Sequence, residues 1–344
     1  MPRRMVPATS LAPVLALRGE RRLVLGPAIG SGSHGEVRVA RLEQVLASTG
    51  EAEEVMARSV AVKIIDPLVT RDPEAMHELR RAVRRTSLVR HANVVQITDY
   101  FVATLGPRGL ASEAVPCVVQ ELVDGVSLAT FAARYDSAGR RMPLDLALFV
   151  ACEIAEGLAG ARAATSAEGV ILNMAHHNLS PRQVLLSWNG EVKVGDFGWR
   201  PAVGVVSGVR RADRDVRAHV AYVAPEVARG TRGDGRSDVF SLGVILHELF
   251  FGPRFRSAPS AQEMLALVRE GVVERPVTSP LLPERIAGIL DRALSPDPRQ
   301  RQAHAGIIAY DLRREALALG VADGRMFLRS ALFDMAEGGY DSGA

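Results

Sequence analysis

The first third of the chain alternates apolar and polar residues in short segments, which is the pattern of half-buried β-strands. Between residues 21 and 65 it predicts three strands, RRLVLGPAI, GEVRVARL and RSVAVKII, with a polar insert, EQVLASTGEAEEVMA, between the last two. Two more strands are predicted in VVQITDYFV and VPCVVQELV, joined by a hairpin that contains Gly and Pro. This part of the chain is therefore expected to be built mainly on a β-sheet.

One helix interrupts the predicted strands, and helices dominate after Ser127. Asp72 offers an N-cap, Pro73 a first-turn proline and Glu74 an early acid, so a helix is expected from here to about Arg90. Long apolar segments predict two buried helices, PLDLALFVACEIAEGLAGARAA and SDVFSLGVILHELFFG. Two more helices are predicted near the C-terminal end, AHAGIIAYDLRREALALG and DGRMFLRSALFDMAEGG, and the second is expected to pack on the helical part.

Length and charge narrow the class of protein. With 344 residues, of which 47% are hydrophobic and 24% charged, the chain is expected to form about two globular domains or lobes. The net charge is +3, and the basic residues are spread along the chain. Nucleic-acid binding requires a concentrated basic patch, so we expect no nucleic-acid partner.

The sequence also indicates the compartment in which the protein is found. No stretch approaches the roughly 20 apolar residues that would span a bilayer, so we expect no membrane segment. Prolines interrupt the apolar run in PRRMVPATSLAPVLALRGERR, and residues 1–20 are therefore expected to be a flexible leader or an extra strand rather than a targeting signal. Cys117 and Cys152 form no motif, which indicates a reducing cytoplasm.

Two short motifs in the strand-rich part suggest phosphate binding. GSGSHGEV places Gly30, Gly32 and Gly35 between two predicted strands, where backbone N–H groups could approach phosphate oxygens. Taken alone, the glycines fit an ordinary turn equally well. VAVK ends at Lys63 on the third predicted strand. Lysine occurs only twice among the 42 basic residues, at Lys63 and Lys193, which favours a particular role for Lys63.

Further motifs follow in the helical part. They are HHNLSPRQVLL from His176, GDFG containing Asp196, VAPE ending at Glu226, RSDVFSLGVIL containing Asp238, and DPRQR ending at Arg301.

These motifs, in this order and spacing, resemble the eukaryotic-like serine/threonine protein kinases of bacteria over roughly residues 20–316. The resemblance implies an α+β, two-lobed protein-kinase-like fold. A small β-rich lobe would cover about residues 21–123 and a larger helical lobe about residues 124–316, with a leader at 1–20 and a helical tail at 317–344. ATP and Mg²⁺ would bind between the lobes.

The resemblance also implies roles for single residues. The glycine loop and Lys63 would hold the phosphates, and Asp196 would bind a magnesium ion. Adenine would hydrogen-bond to the backbone of Glu121 and Val123. Glu226 and Arg301 would form a buried ion pair, and Asp238 would bond the backbone of the catalytic loop. Four apolar side chains would pack above and below the adenine: Ile29, Val37, Ala61 and Leu185.

The catalytic loop departs from the family pattern H-R-D-x-K-P-x-N. Asn178 stands where an aspartate accepts the proton of the substrate hydroxyl, and it has no usable basicity. His177 replaces the arginine and Ser180 the lysine. Gln183 replaces the asparagine that binds the second magnesium, and it is one methylene longer. His176 is expected to be structural, packing beneath the DFG turn.

Two other regions depart from the pattern. The helix position that pairs with the strand lysine falls on Ala82, and Glu78, one turn earlier, is the alternative acid. Between Trp199 and Val223 the only hydroxyl before the tyrosine is Ser207, so no phosphorylation switch is expected there. The charged stretch GVRRADRDVRAHV is either a solvated loop or a docking surface.

The losses fall on phosphoryl transfer, whereas the residues that would hold the nucleotide are retained. We therefore expect a pseudokinase with no or very weak activity, which binds ATP and acts as a cytoplasmic regulatory or scaffolding module for a protein partner, such as an active kinase. The alternative is an active serine/threonine kinase with an atypical catalytic loop.

Overall fold

The computed structural model describes residues 14–16, 21–32, 35–49, 52–66, 70–105, 113–198, 219–252, 260–271, 282–321 and 323–337. These residues form two compact units. The β-rich unit contains the described residues of Met1–His77 and Ile97–Leu122, and the helical unit contains those of Glu78–Gln96 and Val123–Ala344. The predicted α+β fold class is confirmed.

One antiparallel sheet forms the described part of the β-rich unit. Its strands are β1 Val14–Ala16, β2 Arg21–Gly32, β3 Gly35–Thr49, β4 Ala52–Ile65, β5 Ile97–Leu105 and β6 Glu113–Glu121. They lie side by side in the order β1-β2-β3-β4-β6-β5. β1 lies at one edge, so part of the N-terminal segment is the extra strand that was one of the two alternatives.

The polar insert between the second and third predicted strands belongs to the sheet, so the prediction of an insert between shorter strands was wrong. β3 continues to Thr49 and β4 begins at Ala52, with Gln44 opposite Met56 and Thr49 opposite Ala52. Backbone pairing between the two strands satisfies their N–H and C=O groups whatever the side chains are. A polar sequence can therefore extend a hairpin.

One face of the sheet carries a cluster of apolar side chains. Leu23, Val62, Cys117 and Val119 are completely buried in this cluster. Burial raises the pKa of the Cys117 thiol to about 11, so this cysteine remains protonated and unreactive near neutral pH.

Helices make up most of the other unit. The two helices Leu144–Ala163 and Gly235–Phe251 form the centre of its core. Three short strands form a small antiparallel sheet, in which they lie side by side in sequence order. The strands are β7 Gly125–Ser127, β8 Val184–Ser187 and β9 Val192–Val194. The helices are α1 Pro73–Thr86, α2 Leu128–Ser137, α3 Leu144–Ala163, α4 Pro225–Ala228, α5 Gly235–Phe251, α6 Ala261–Glu270, α7 Glu284–Ala293, α8 Ala305–Ala318 and α9 Gly324–Glu337. Of α1, the part that begins at Glu78 belongs to this unit.

Helix α1 begins as predicted and ends earlier. Asp72 caps it, because its carboxylate accepts from the backbone N–H groups of Glu74 and Ala75. The helix stops at Thr86 instead of about Arg90. The backbone N–H groups of residues 88 and 89 bond three residues back, and this tightens and closes the last turn.

The C-terminal helix α9 packs on the helical unit, as predicted. Leu328 and Leu332 are completely buried, and the guanidinium of Arg134 donates to the carbonyl of Met335 at 2.8 Å. Among all helices of the described ranges, none is long and apolar enough to cross a membrane.

Candidate functional site

The glycine motif forms a β-hairpin in the β-rich unit. Gly32 pairs with Gly35, and Gly30 pairs with Val37, while residues 33–34 at the tip lie outside the described residues. Gly35 has φ +139°, and a Cβ there would lie 1.9 Å from the carbonyl oxygen of Ile64, so this position requires glycine. A Cβ at Gly30 would meet no atom within 4 Å, which leaves open space beside the strand.

The strand register places the predicted contact residues on one face of the sheet. Lys63 lies opposite Val37, and Ala61 lies two residues before Lys63, so all three side chains share the face opposite the apolar cluster. Lys63 is 5% exposed. Gln120, opposite Ala61 on β6, shares this face and was missed, because its side is set by pairing that the sequence does not reveal.

The other residues predicted to contact adenine are divided between the two units. Ile29 on β2 is 53% exposed, and Glu121 is the half-buried last residue of β6. In the helical unit, Val123 is half-buried, and Leu185 lies on β8 opposite Lys193. Their contacts with adenine stay a prediction.

In the helical unit, His176 supports the loop that carries Asn178. Its ring is fully buried, with Nε2 2.8 Å from the carbonyl oxygen of Gly195 and its centroid 4.6 Å from that of Phe197. Nδ1 accepts from the backbone N–H of Asn178 at 3.2 Å, so Nε2 carries the proton. Burial lowers the pKa of His176 to about 4, and the ring is neutral near pH 7. The predicted structural role is confirmed.

Asp238 holds the backbone of the same loop, as the resemblance implies. Its carboxylate accepts from the backbone N–H of His176 at 2.6 Å and of His177 at 2.8 Å. His177 has φ 64°, a left-handed backbone conformation that residues other than glycine adopt only at an energetic cost. Two charge-assisted bonds from one buried carboxylate stabilise this strained turn.

Asn178 is 5% exposed, and its side-chain oxygen has no hydrogen-bond partner in the described part of the chain. A buried amide oxygen without a partner costs about 1–3 kcal/mol. The oxygen can accept a hydrogen bond from a hydroxyl group, but an amide does not take up the proton. The side chain therefore has the shape of an aspartate without its basicity.

Gln183 is turned toward Ser180. The hydroxyl of Ser180 donates to the side-chain oxygen of Gln183, and the backbone N–H of Gln183 donates to the carbonyl of Ser180 at 3.0 Å. The amide oxygen that the resemblance assigns to a second magnesium ion thus accepts one hydrogen bond from its own loop, and its second lone pair is left for another ligand.

Asp196 lies in the turn between Gly195 and the buried Phe197. Its φ of 59° is left-handed, a costly conformation of the kind that clusters at functional sites. In the described residues no group of three or more His, Cys, Asp or Glu side chains could hold a metal ion. Proteins often bind Mg²⁺ through one or two carboxylates, and the phosphate oxygens of the substrate supply further ligands. Asp196 therefore fits a first magnesium ion.

Ala82 lies beside this turn. A Cβ built on Gly198 would be 3.2 Å from that of Ala82, so the helix position counted from the sequence is next to the turn and carries no acid. Glu78, the alternative acid, forms an ion pair with Arg81 at 3.5 Å.

The segment expected to lack a phosphorylation switch lies mostly outside the described residues, including Trp199 and Ser207.

Glu226 and Arg301 form the expected ion pair, in which the guanidinium nitrogens lie 2.7 and 2.8 Å from the two carboxylate oxygens. Burial would raise the pKa of Glu226, but the hydrogen bonds and charge of Arg301 hold it below its usual range.

Together, the glycine hairpin, the strand lysine and the supported loop define a protein-kinase fold. A family model described as protein tyrosine and serine/threonine kinase matches residues 23–310, and the chain belongs to this family.

Curated relatives agree with this assignment. The chain is 30% identical to the tyrosine-protein kinase MasK of Myxococcus xanthus over 312 residues, which are 90% of this chain and 45% of MasK. It is 28% identical over 300 residues to the serine/threonine-protein kinase PknB of Mycolicibacterium smegmatis, covering 85% of this chain and 43% of PknB. The chain therefore spans less than half the length of these relatives.

Proposed function

We propose that this kinase-family domain is a pseudokinase, a nucleotide-binding module that regulates or scaffolds another protein. The observation that carries the proposal is the uncharged amide of Asn178 at the buried position of the catalytic base. Loss of a general base lowers a rate by about 10²–10⁴-fold.

The environment of Gln183 supports the same conclusion. Gln183 is one methylene longer than the asparagine of the family, and its side-chain oxygen is turned toward Ser180. Phosphoryl transfer depends on charge stabilisation and positioning, and the base position and the second-metal position serve the same transition state. Both are altered, which favours binding over catalysis.

Nucleotide binding is the retained part of the proposal. Gly30 and Gly35 would let the phosphates approach the hairpin backbone, Lys63 would supply a positive charge, and Asp196 would hold one magnesium ion. These residues would hold ATP together with one magnesium ion, which would neutralise charge on the phosphates. The role of the domain would then depend on whether nucleotide is bound, through contacts with a protein partner such as an active kinase.

We place the protein in the cytoplasm. Cys117 and Cys152 are both buried and free, and burial raises the pKa of the Cys152 thiol to about 12. Two reduced cysteines are ordinary in a reducing compartment.

An active serine/threonine kinase is the second candidate function. It is favoured by the intact support of the loop, namely the two bonds from Asp238 and the packing of His176 on Phe197. Asn178 could still orient a substrate hydroxyl.

One experiment separates the two functions. Thermal unfolding would be followed with ATP, with and without Mg²⁺, and transfer of labelled γ-phosphate to a generic protein acceptor would be measured on the same preparation. A melting shift without transfer supports the pseudokinase. Transfer that depends on Lys63 supports the active kinase, and no shift at millimolar ATP refutes nucleotide binding.

A further inference from the structure

Strands β3 and β4 extend beyond the rest of their sheet. β2 pairs with β3 only as far as Gln44, and β6 pairs with β4 only from Val60 onward. Past these points β3 and β4 continue as a pair. We call this two-stranded part, residues 45–49 and 52–59, the β3–β4 ribbon. Within the described ranges of the chain, no strand pairs with either outer edge of the ribbon.

The two edges of the ribbon differ. On the β3 side the register shifts between Val45 and Ala47, whereas the residues of β4 opposite them are consecutive, so β3 carries one extra residue. Such a bulge disturbs the outward row of N–H and C=O groups, and proteins commonly protect exposed strand edges in this way. The β4 side, AEEVMARS, keeps a regular register against β3 and contains no proline or lysine. Its edge is therefore open to a further strand.

The part of this edge nearest the sheet is accessible to solvent. Met56 is 58% exposed, and Ala57, Arg58 and Ser59 are also exposed. In an antiparallel pair, every second residue of a strand directs its N–H and C=O away from its partner. The β4 edge therefore offers backbone donors and acceptors that water or another strand can satisfy.

The sequence of this edge is complementary to itself. In a regular antiparallel pair, residues directly opposite each other lie on the same face of the sheet. Placing Met56 opposite Met56 of a second copy puts Glu54 opposite Arg58 of that copy, and the symmetry of the pair repeats this contact on the other side. An opposite-charge pair then flanks the central methionines at each end.

Other registers lack this match. Pairing centred on Val55 or on Ala57 places no glutamate opposite Arg58. Pairing centred on Glu54 or on Arg58 places two like charges directly opposite each other, which destabilises the contact. Charge therefore selects the register centred on Met56.

We propose that the β4 edge of the ribbon pairs with the same edge of a second copy of this chain, which gives a two-fold symmetric dimer with one sheet running through both copies. The paired stretch is residues 53–59 of each copy, because Val60 is already paired with Glu121 in its own sheet. Backbone hydrogen bonds supply the attraction, and the charges set the register. This self-association does not depend on nucleotide binding.

Exchange of charges tests the register. Sedimentation velocity of the full chain over a range of concentrations should show a dimer. Glu54→Arg and Arg58→Glu should each weaken it about tenfold or more, since like charges then face each other twice. Both changes in one chain restore the opposite-charge pairs and should restore the dimer. A mixture of the two single variants should also associate, because one carries positive and the other negative charge at both positions.

A variant on another element is the matched control. Arg80→Glu changes the net charge as Arg58→Glu does, but at an exposed position of α1, and it should leave the dimer unchanged.

A cysteine cross-link tests the position of the two-fold axis. Met56→Cys brings two thiols directly opposite each other, with Cβ atoms about 4.5–5.5 Å apart, and mild oxidation should join the copies. Ser59→Cys is the control, because this register places it about 20 Å from Ser59 of the other copy. The native cysteines, Cys117 and Cys152, are buried and do not compete.

Four outcomes would overturn the proposal. A monomer at every concentration shows that the edge does not pair with itself. A dimer that is unchanged in both single-charge variants places the contact on another surface, and an equal loss in Arg80→Glu indicates a general effect of charge. Equal cross-linking of Met56→Cys and Ser59→Cys excludes the register centred on Met56.

Discussion

Arg301 and Glu226 lie 75 residues apart in the chain and form a two-pronged ion pair in which the arginine side chain is fully buried. The same guanidinium also donates to the carbonyl oxygens of Ser295, Pro296 and Arg236 and lies 4.9 Å from the ring centroid of Phe240. One side chain thus joins α4, the start of α5 and the loop before α8.

Removing one partner of this pair should destabilise the protein strongly. Arg301→Met leaves the carboxylate of Glu226 in a largely buried position without its countercharge, and we expect a loss of about 3 kcal/mol in the free energy of unfolding. Urea unfolding of wild type and variant measures it. Replacing both residues by leucine should cost less than the sum of the two single changes.

The control for this prediction lies two residues away. Arg299 is 82% exposed and pairs with Asp297, and Arg299→Ala should leave unfolding unchanged. If Arg301→Met and Arg299→Ala unfold alike, the buried pair does not hold the helical unit together.

Stability should depend on pH through His176. Its folded pKa of about 4 lies below the ordinary value of about 6.5, so the unfolded chain binds the extra proton first. The contribution is therefore fully present above pH 6.5 and is lost as the pH falls toward 4, a change on the order of 3 kcal/mol. The difference in unfolding free energy between wild type and His176→Gln should grow with pH over this window.

A direct measurement accompanies this comparison. In a histidine NMR titration, the resonance that disappears in His176→Gln should stay at its neutral position from pH 8 to about pH 5. A midpoint near 6.5 would contradict the buried neutral ring.

The sequence predicted most of the framework because its signals are local. Alternation located the strands, and Asp72 located the start of α1. Motif order assigned Asp238 and Arg301, whose bonds the structure confirms. The strands and the start of α1 follow from local pattern, whereas the roles of Asp238 and Arg301 come from the resemblance to protein kinases.

Other features depend on pairing between distant residues, which spacing does not encode. The side of the sheet that Gln120 occupies follows from its register against Ala61. Continuation of β3 to Thr49 depends on a partner strand rather than on polarity. A pocket in the helical unit brings Arg81 and Arg232, about 150 residues apart in the sequence, to the same wall lining through tertiary packing.

Lys63 provides the test of nucleotide binding. ATP at about 100 times its dissociation constant should add roughly 2.7 kcal/mol of stability, and Lys63→Ala should reduce this gain because it removes the buried cation on the proposed ligand face. Thermal-shift titration measures both proteins. Arg58→Ala is the matched control, since Arg58 is an exposed cation on β4 that faces the other side of the sheet, and it should keep the full shift.

The catalytic loop itself provides the last test. Asn178→Asp restores a carboxylate at the position of the base, but we expect no measurable phosphoryl transfer from this single change. Gln183 would still be turned toward Ser180, and Ala82 would still place no acid beside Gly198. Groups that serve one transition state are strongly non-additive, so one repaired group gains little.

Transfer should return only when Gln183→Asn and Ala82→Glu accompany Asn178→Asp. The shorter asparagine would be less able to reach the hydroxyl of Ser180, and the new glutamate would lie next to the turn that carries Asp196. The assay compares wild type, single and triple variants with a generic acceptor, and a triple variant that also carries Lys63→Ala should be inactive. Turnover by the wild type would refute the pseudokinase, whereas turnover by the single variant would show that the loss of one carboxylate alone silenced the loop.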